Sequence, residues 1–331
     1  MTQLSSQRLS SELQLLSVVL VWGVNFPVSK WILLEIHPHV MNVFRLGAAA
    51  VVLSALLYRR CGNDWSTFWK PLQTDFKSFA FIALIGWVLY QVAFITGLNN
   101  TSAGNSAIIM SSAPIWTALI AAFFAIERIS GVAWLGLLIS LIGTGVIILS
   151  GPTEVDLAST YFLGNAIILV AAILWGAYTA FTRQLVQKHT PLSLTVLALI
   201  IALPAIGLVS IPYWSAIDWQ QVTFMHWVAM FFSGSLSTGL AIVFWNNAVK
   251  SLGASHTAAY GNLVPLIALF SGFFNLLFKF ILPKLYAWGP QLTRSAYWWH
   301  ANYWRIGRHA LGSQTTPSTR LNFYPREASL I

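Results

Sequence analysis

Of the 331 residues, 57% are apolar and only 8% are charged, where a soluble domain carries about 25% charged residues. With 18 Lys and Arg and 9 Asp and Glu residues the chain cannot clothe a core of its size in polar groups, so a water-soluble globule is excluded and lipid is its natural solvent. The net charge of +9 would suit nucleic acid only if it formed one face; most of the excess instead lies beyond residue 270, and the single Cys61 excludes an internal disulfide.

Apolar runs long enough to cross a bilayer, about 20 residues each, predict nine helices. They lie near 13–34, 39–58, 77–97, 104–125, 131–150, 161–182, 192–212, 226–248 and 256–282. The first follows a polar dozen residues, has no small-residue cleavage site and leads into eight more spans, so it reads as an anchor. Arg8, Arg59, Arg60, Lys70, Lys77, Arg128, Arg183, Lys188 and Lys250 then share one side of the membrane. The loops around 35–38, 98–103, 151–160 and 213–225 hold no Lys or Arg. Because positive residues stay in the cytoplasm, this predicts a multi-pass protein of the plasma membrane with a cytoplasmic N-terminus.

Trp22-Gly23 followed by Lys30 recurs as Trp175-Gly176 followed by Arg183, an offset of 153. Gly97-Leu98, Ala103 and Pro114 align with Ala248-Val249, Ala254 and Pro265 at an offset of 151. Two motifs in one order at nearly one offset predict two homologous halves. With five helices per half, the second is threaded upside down relative to the first. The fold class is therefore an all-α multi-spanning membrane protein of two inverted five-helix repeats.

The run Val21-Trp22-Gly23-Val24-Asn25-Phe26-Pro27, Phe44-Arg45, the stretch from Tyr90 to Pro114, Glu127, and Trp175-Gly176-Ala177-Tyr178 resemble the EamA-type transporters of the drug/metabolite transporter superfamily. The resemblance covers residues 13 to about 272. It implies ten helices in two EamA repeats, with export of amino acids, related metabolites or toxic compounds. Residues 1–150 are then the first repeat, helices 1–5, and 151–272 hold helices 6–9 of the second.

Residues 273–331 depart from that pattern. Instead of a tenth span they carry Trp298-Trp299-His300, Trp304-Arg305 and Arg308-His309, basic residues on the side where the positive-inside rule disfavours them. Trp-Trp-His is encoded TGG TGG CAY, which one nucleotide later reads Gly-Gly, and the following codons yield Thr, Met or Ile. That is the composition of the fifth helix, with its Gly136, Gly143 and Gly145. The tail therefore reads as a shifted frame replacing the end of helix 9 and helix 10, with an unusual but genuine tail as the other reading. A non-functional, truncated or frame-shifted remnant is accordingly the alternative to a working exporter.

Ionisable groups inside spans are costly and mark function by default. Lys30 lies near the outer end of helix 1, where it either snorkels to the headgroups or faces the pathway. Arg45, two turns into helix 2, either orients a substrate carboxylate or pairs with backbone carbonyls. His256, at the start of helix 9, either serves the pathway as an ionisable side chain or is structural. Asn25, Tyr90, Asn105, Trp175, Tyr178, Trp245, Asn246, Tyr260 and Asn262 fall at spacings that face the bundle. They suit an aromatic cavity for amphipathic metabolites, or a belt and interhelical hydrogen bonds. Pro27 and Pro114 either break helices within the membrane and free backbone groups to line a cavity, or are tolerated kinks. No Cys/His spacing suits a metal and no motif calls for a cofactor. The chain lacks His-Glu-x-x-His or paired intramembrane aspartates, which argues against an intramembrane enzyme. The partners expected are a small-molecule substrate and the lipid bilayer, with a homodimer also open and nucleic acid excluded.

Overall fold

The computed structural model describes residues 2–101, 103–149 and 162–267, all within one compact unit. They form α1 (Thr2–Ile32), α2 (Pro38–Arg60), α3 (Trp65–Ile82), α4 (Tyr90–Asn100), α5 (Ala103–Met110), α6 (Ala113–Phe123), α7 (Gly131–Leu149), α8 (Phe162–Lys188), α9 (Pro191–Ser210), α10 (Phe224–Phe232), α11 (Ala241–Leu252) and α12 (Ala254–Ala259). Among the described residues there is no strand, and the chain is an all-α multi-spanning membrane protein. Six of the nine predicted spans correspond to helices long and apolar enough to cross a bilayer; 104–125 and 131–150 correspond to the shorter apolar stretches Ile108–Phe123 and Gly131–Gly143. The loop at 151–160 and the departure over 273–331 lie outside the described residues.

Two helices run through an inserted π turn. Ala83–Leu89 joins α3 to α4, and Ser233–Leu240 joins α10 to α11, starting 150 residues apart at positions 83 and 233. π turns cost hydrogen-bond geometry and persist mostly at functional sites. Each is seated by a glycine that lets another helix come close. A Cβ on Gly86 would strike the ring of Tyr178 in α8, and one on Gly234 would strike the backbone carbonyl of Arg45 in α2.

The helices of the two halves interlock. α1 packs along α11, α2 along α9 and the second π turn, and α4 and α6 both along α8. The main core runs from Leu15 and Leu46 through Trp87 and Tyr178 to Leu197 and Trp245. Exposed apolar residues such as Val51, Phe123, Val132 and Phe162 face outward, where acyl chains replace water as their solvent.

Two expectations need correction. The segment 59–77, read as a loop because of its charges, contains the start of α3. Asp64 caps that helix by accepting from the Ser66 and Thr67 N–H groups, and Trp65, Phe68, Trp69 and Leu72 give it an apolar side, with Phe68 wholly buried. The backbone leaves helical geometry at Asp75, after Pro71, so an amphipathic piece precedes the span proper. The single helix predicted over 104–125 is two, parted at Ser111-Ser112 just before Pro114, whose hydroxyls return to the Ile108 and Ile109 carbonyls. Pro27, by contrast, is tolerated inside a continuous α1, the second of the two readings open for it.

Candidate functional site

The second π turn gathers the site. Trp22, on α1, donates its indole N–H to the Ser237 carbonyl at 2.9 Å. Arg45, on α2, donates through Nη2 to the hydroxyl of the next residue, Thr238, at 2.9 Å, and more distantly through Nη1 to Asn42 at 3.4 Å. Thr238 in turn donates to the Ser233 carbonyl within the π turn. A tryptophan and a guanidinium from two successive helices are thus fixed to adjacent residues of one irregular turn.

Around this anchor lies an aromatic cluster from both halves of the chain. The ring of Trp22 is 5.6 Å from Trp175 and 5.1 Å from Trp245, which are themselves 5.5 Å apart. Trp175 also contacts Tyr90 at 5.0 Å and stacks on Tyr178 at 5.2 Å. Edge and tilted arrangements at these separations add to the burial of the rings. Tyr90 extends the cluster to within electrostatic reach of Arg45. On the far side of Tyr178, its hydroxyl exchanges hydrogen bonds with Asn246, which also donates to Thr195 at 3.0 Å.

Arg45 is 7% exposed, and its Nε has no partner. Among the described residues the ion pairs are Arg8–Glu12, Arg183–Glu127, Lys188–Asp75 and His189–Asp75; none involves Arg45. The Asn25 Oδ1, on the same helix as Trp22, is likewise buried without a partner. The described residues thus place an uncompensated cation and a spare acceptor carbonyl at membrane depth, where unpaired polar groups are costly.

Of the residues singled out in the sequence, Arg45, Tyr90, Trp175, Tyr178, Trp245 and Asn246 come together here, and Asn25 lies one helical turn from Trp22. His256, Tyr260 and Asn262 do not join them in one network. The ring of His256, an exposed residue, is 5.8 Å from that of Tyr260, and Asn262 donates to Ser140 of α7 at 2.8 Å. Lys30 belongs to α1, its side chain outside the described ones. Sequence reading missed Thr238, Asn42 and the role of Trp22. The signal for Trp22 was present, because the Trp-Gly pair occurs twice in the sequence and the two tryptophans touch.

A second polar assembly lies at the bundle end that carries Arg183, Lys188 and Lys250. Glu127, after α6, accepts from the Ala254 and Ser255 N–H groups at 2.5 and 3.1 Å, capping α12, and pairs with Arg183 Nε at 3.4 Å. Arg183 also donates to the Val249 and Lys250 carbonyls, and Gln187 donates to the Lys250 carbonyl at 3.1 Å. At the opposite ends of α1 and α2, His37 stacks on Tyr213 at 3.8 Å, and His39 lies 5.3 Å from the same ring. Burial holds the His37 imidazole below its ordinary pKa, which favours the neutral, stacked ring.

The EamA-like transporter family profile matches the chain twice, over residues 9–149 and 162–287. The second match extends past residue 272, where the sequence resemblance was expected to end. Among curated relatives, the uncharacterized transporter YyaM of Bacillus subtilis is 26% identical over 81% of this chain and 86% of its own. A probable terminal-alkyne amino-acid exporter of Streptantibioticus cattleyicolor is 25% identical over 78% of this chain and 83% of its own. A crystal structure at 18% identity superposes with a TM-score of 0.60 over 80% of this chain and 88% of that one, a likeness of fold.

Proposed function

The chain belongs to the EamA-like transporter family, and from that premise we propose that it exports amino acids, small metabolites or toxic compounds across the plasma membrane by alternating access. It is a multi-pass membrane transporter. The observation that carries the finer reading is the cluster of Trp22, Tyr90, Trp175 and Trp245, to which both halves contribute. A site shared between two oppositely threaded halves is the one a rocking motion exposes to each side in turn. In this reading the N-terminus is cytoplasmic, the Glu127–Arg183 assembly closes the inner end and the His37–Tyr213 stack lies at the outer end. The named amino-acid exporter among the relatives supports the solute class.

The test is sided labelling. In a Cys61→Ser background, Asn25→Cys is treated in oriented vesicles with a membrane-impermeant thiol reagent from either face. Alternating access predicts labelling from both faces, with solute shifting the balance between them. Labelling confined to one face under every condition would refute the mechanism.

A further inference from the structure

We infer that the site selects an organic anion with a planar apolar body, such as a carboxylate attached to an aromatic ring, over a cation of the same shape. This rests on the transport reading above and names the class of solute. The argument begins with Arg45. Its guanidinium is nine-tenths buried, its hydrogen-bond partners Thr238 and Asn42 are neutral, and no carboxylate among the described residues pairs with it. A guanidinium stays protonated under all ordinary conditions, so its positive potential is permanent and is not cancelled locally. With Nε still unpartnered, the fork retains a donor for a ligand oxygen, and charge-assisted bonds to carboxylates are the strong ones.

The tryptophans supply the rest of the specificity. Aromatic faces attract cations in the absence of another charge, and such a cluster alone would favour an ammonium. Here Tyr90 joins the cluster to the Arg45 charge, and Trp22 and Arg45 are tied to consecutive residues, Ser237 and Thr238. A cation over these rings therefore sits beside an unneutralised like charge in a low-dielectric setting, which repels it. An anion of the same shape gains both the ring contact and the guanidinium.

The experiment uses the full chain in proteoliposomes and two probes with one ring, indole-3-acetate and tryptamine, at pH 7.4. Counterflow of indole-3-acetate is expected to exceed that of tryptamine at least tenfold. Arg45→Gln should bring the anion down to the tryptamine rate, whereas Arg45→Lys keeps part of the preference. Equal or faster tryptamine flux in the wild-type protein overturns the anion inference while leaving transport standing, as does an Arg45→Gln protein that keeps its preference. Flux of neither probe above protein-free vesicles overturns the transport reading with it. The wild-type comparison decides the matter on its own if Arg45→Gln does not fold.

Discussion

Arg45 and Arg183 are both arginines held among helices, yet the chain treats them in opposite ways. Arg183 sits at a bundle end, paired with Glu127 and donating to two main-chain carbonyls. Arg45 sits inside, with neutral partners and an idle Nε. A compensated charge at an edge ties helices together; an uncompensated one at depth is a standing cost that stability alone does not explain. The contrast separates an arginine that holds the bundle from one held ready for something else.

The sharpest way to break this contrast is Arg45→Gln. Flux of the transported solute should fall at least tenfold, while Tm in detergent holds or rises, since a desolvated charge without a carboxylate partner has been removed. A lowered Tm with flux intact would reverse the roles assigned to the two arginines. Next in size is Glu127→Ala, which strips the α12 cap and leaves Arg183 without its carboxylate. It should cost about 2 kcal/mol, seen as a lower Tm, and the loss should be larger than that of Arg183→Gln, where Glu127 keeps its two N–H donors. The smallest effect belongs to Gln187→Ala at the exposed rim of the same assembly. It should shift stability by no more than about 0.5 kcal/mol and leave flux alone, which marks where the tie ends.

Much of this was legible in the order of residues. Arg45 stands out because a charge in an apolar run is rare, and Trp175, Tyr178 and Asn246 stand out for the same reason of contrast. Thr238 does not. A hydroxyl within Ser233–Gly239 reads as weak helix, and its partner lies 193 residues away, a pairing that no local period encodes. The π turns are equally silent, because one inserted residue leaves composition and hydropathy unchanged. The start of α3 was hidden differently. Lys70, Asp75 and Lys77 dilute its hydropathy, although Trp65, Phe68, Trp69 and Leu72 already carry the helical spacing. Glu127 was noted as a motif residue, but its use as a cap depends on the fold bringing α12 beneath it.

The separation between Arg45 and Thr238 also bears on biogenesis. The ribosome delivers α2 to the membrane well before Thr238 has been made, so the helix enters with its guanidinium unmet by that partner. On insertion scales an arginine at mid-helix costs about 3 kcal/mol, and each Val, Leu or Phe favours entry by about 0.3–0.6 kcal/mol. The nine Val, Leu and Phe residues of α2 offset that cost. Lipid-facing Val51, 72% exposed, therefore serves membrane insertion more than internal packing. Making such positions polar would leave the internal packing of the finished bundle intact and yet turn the nascent helix away from the membrane.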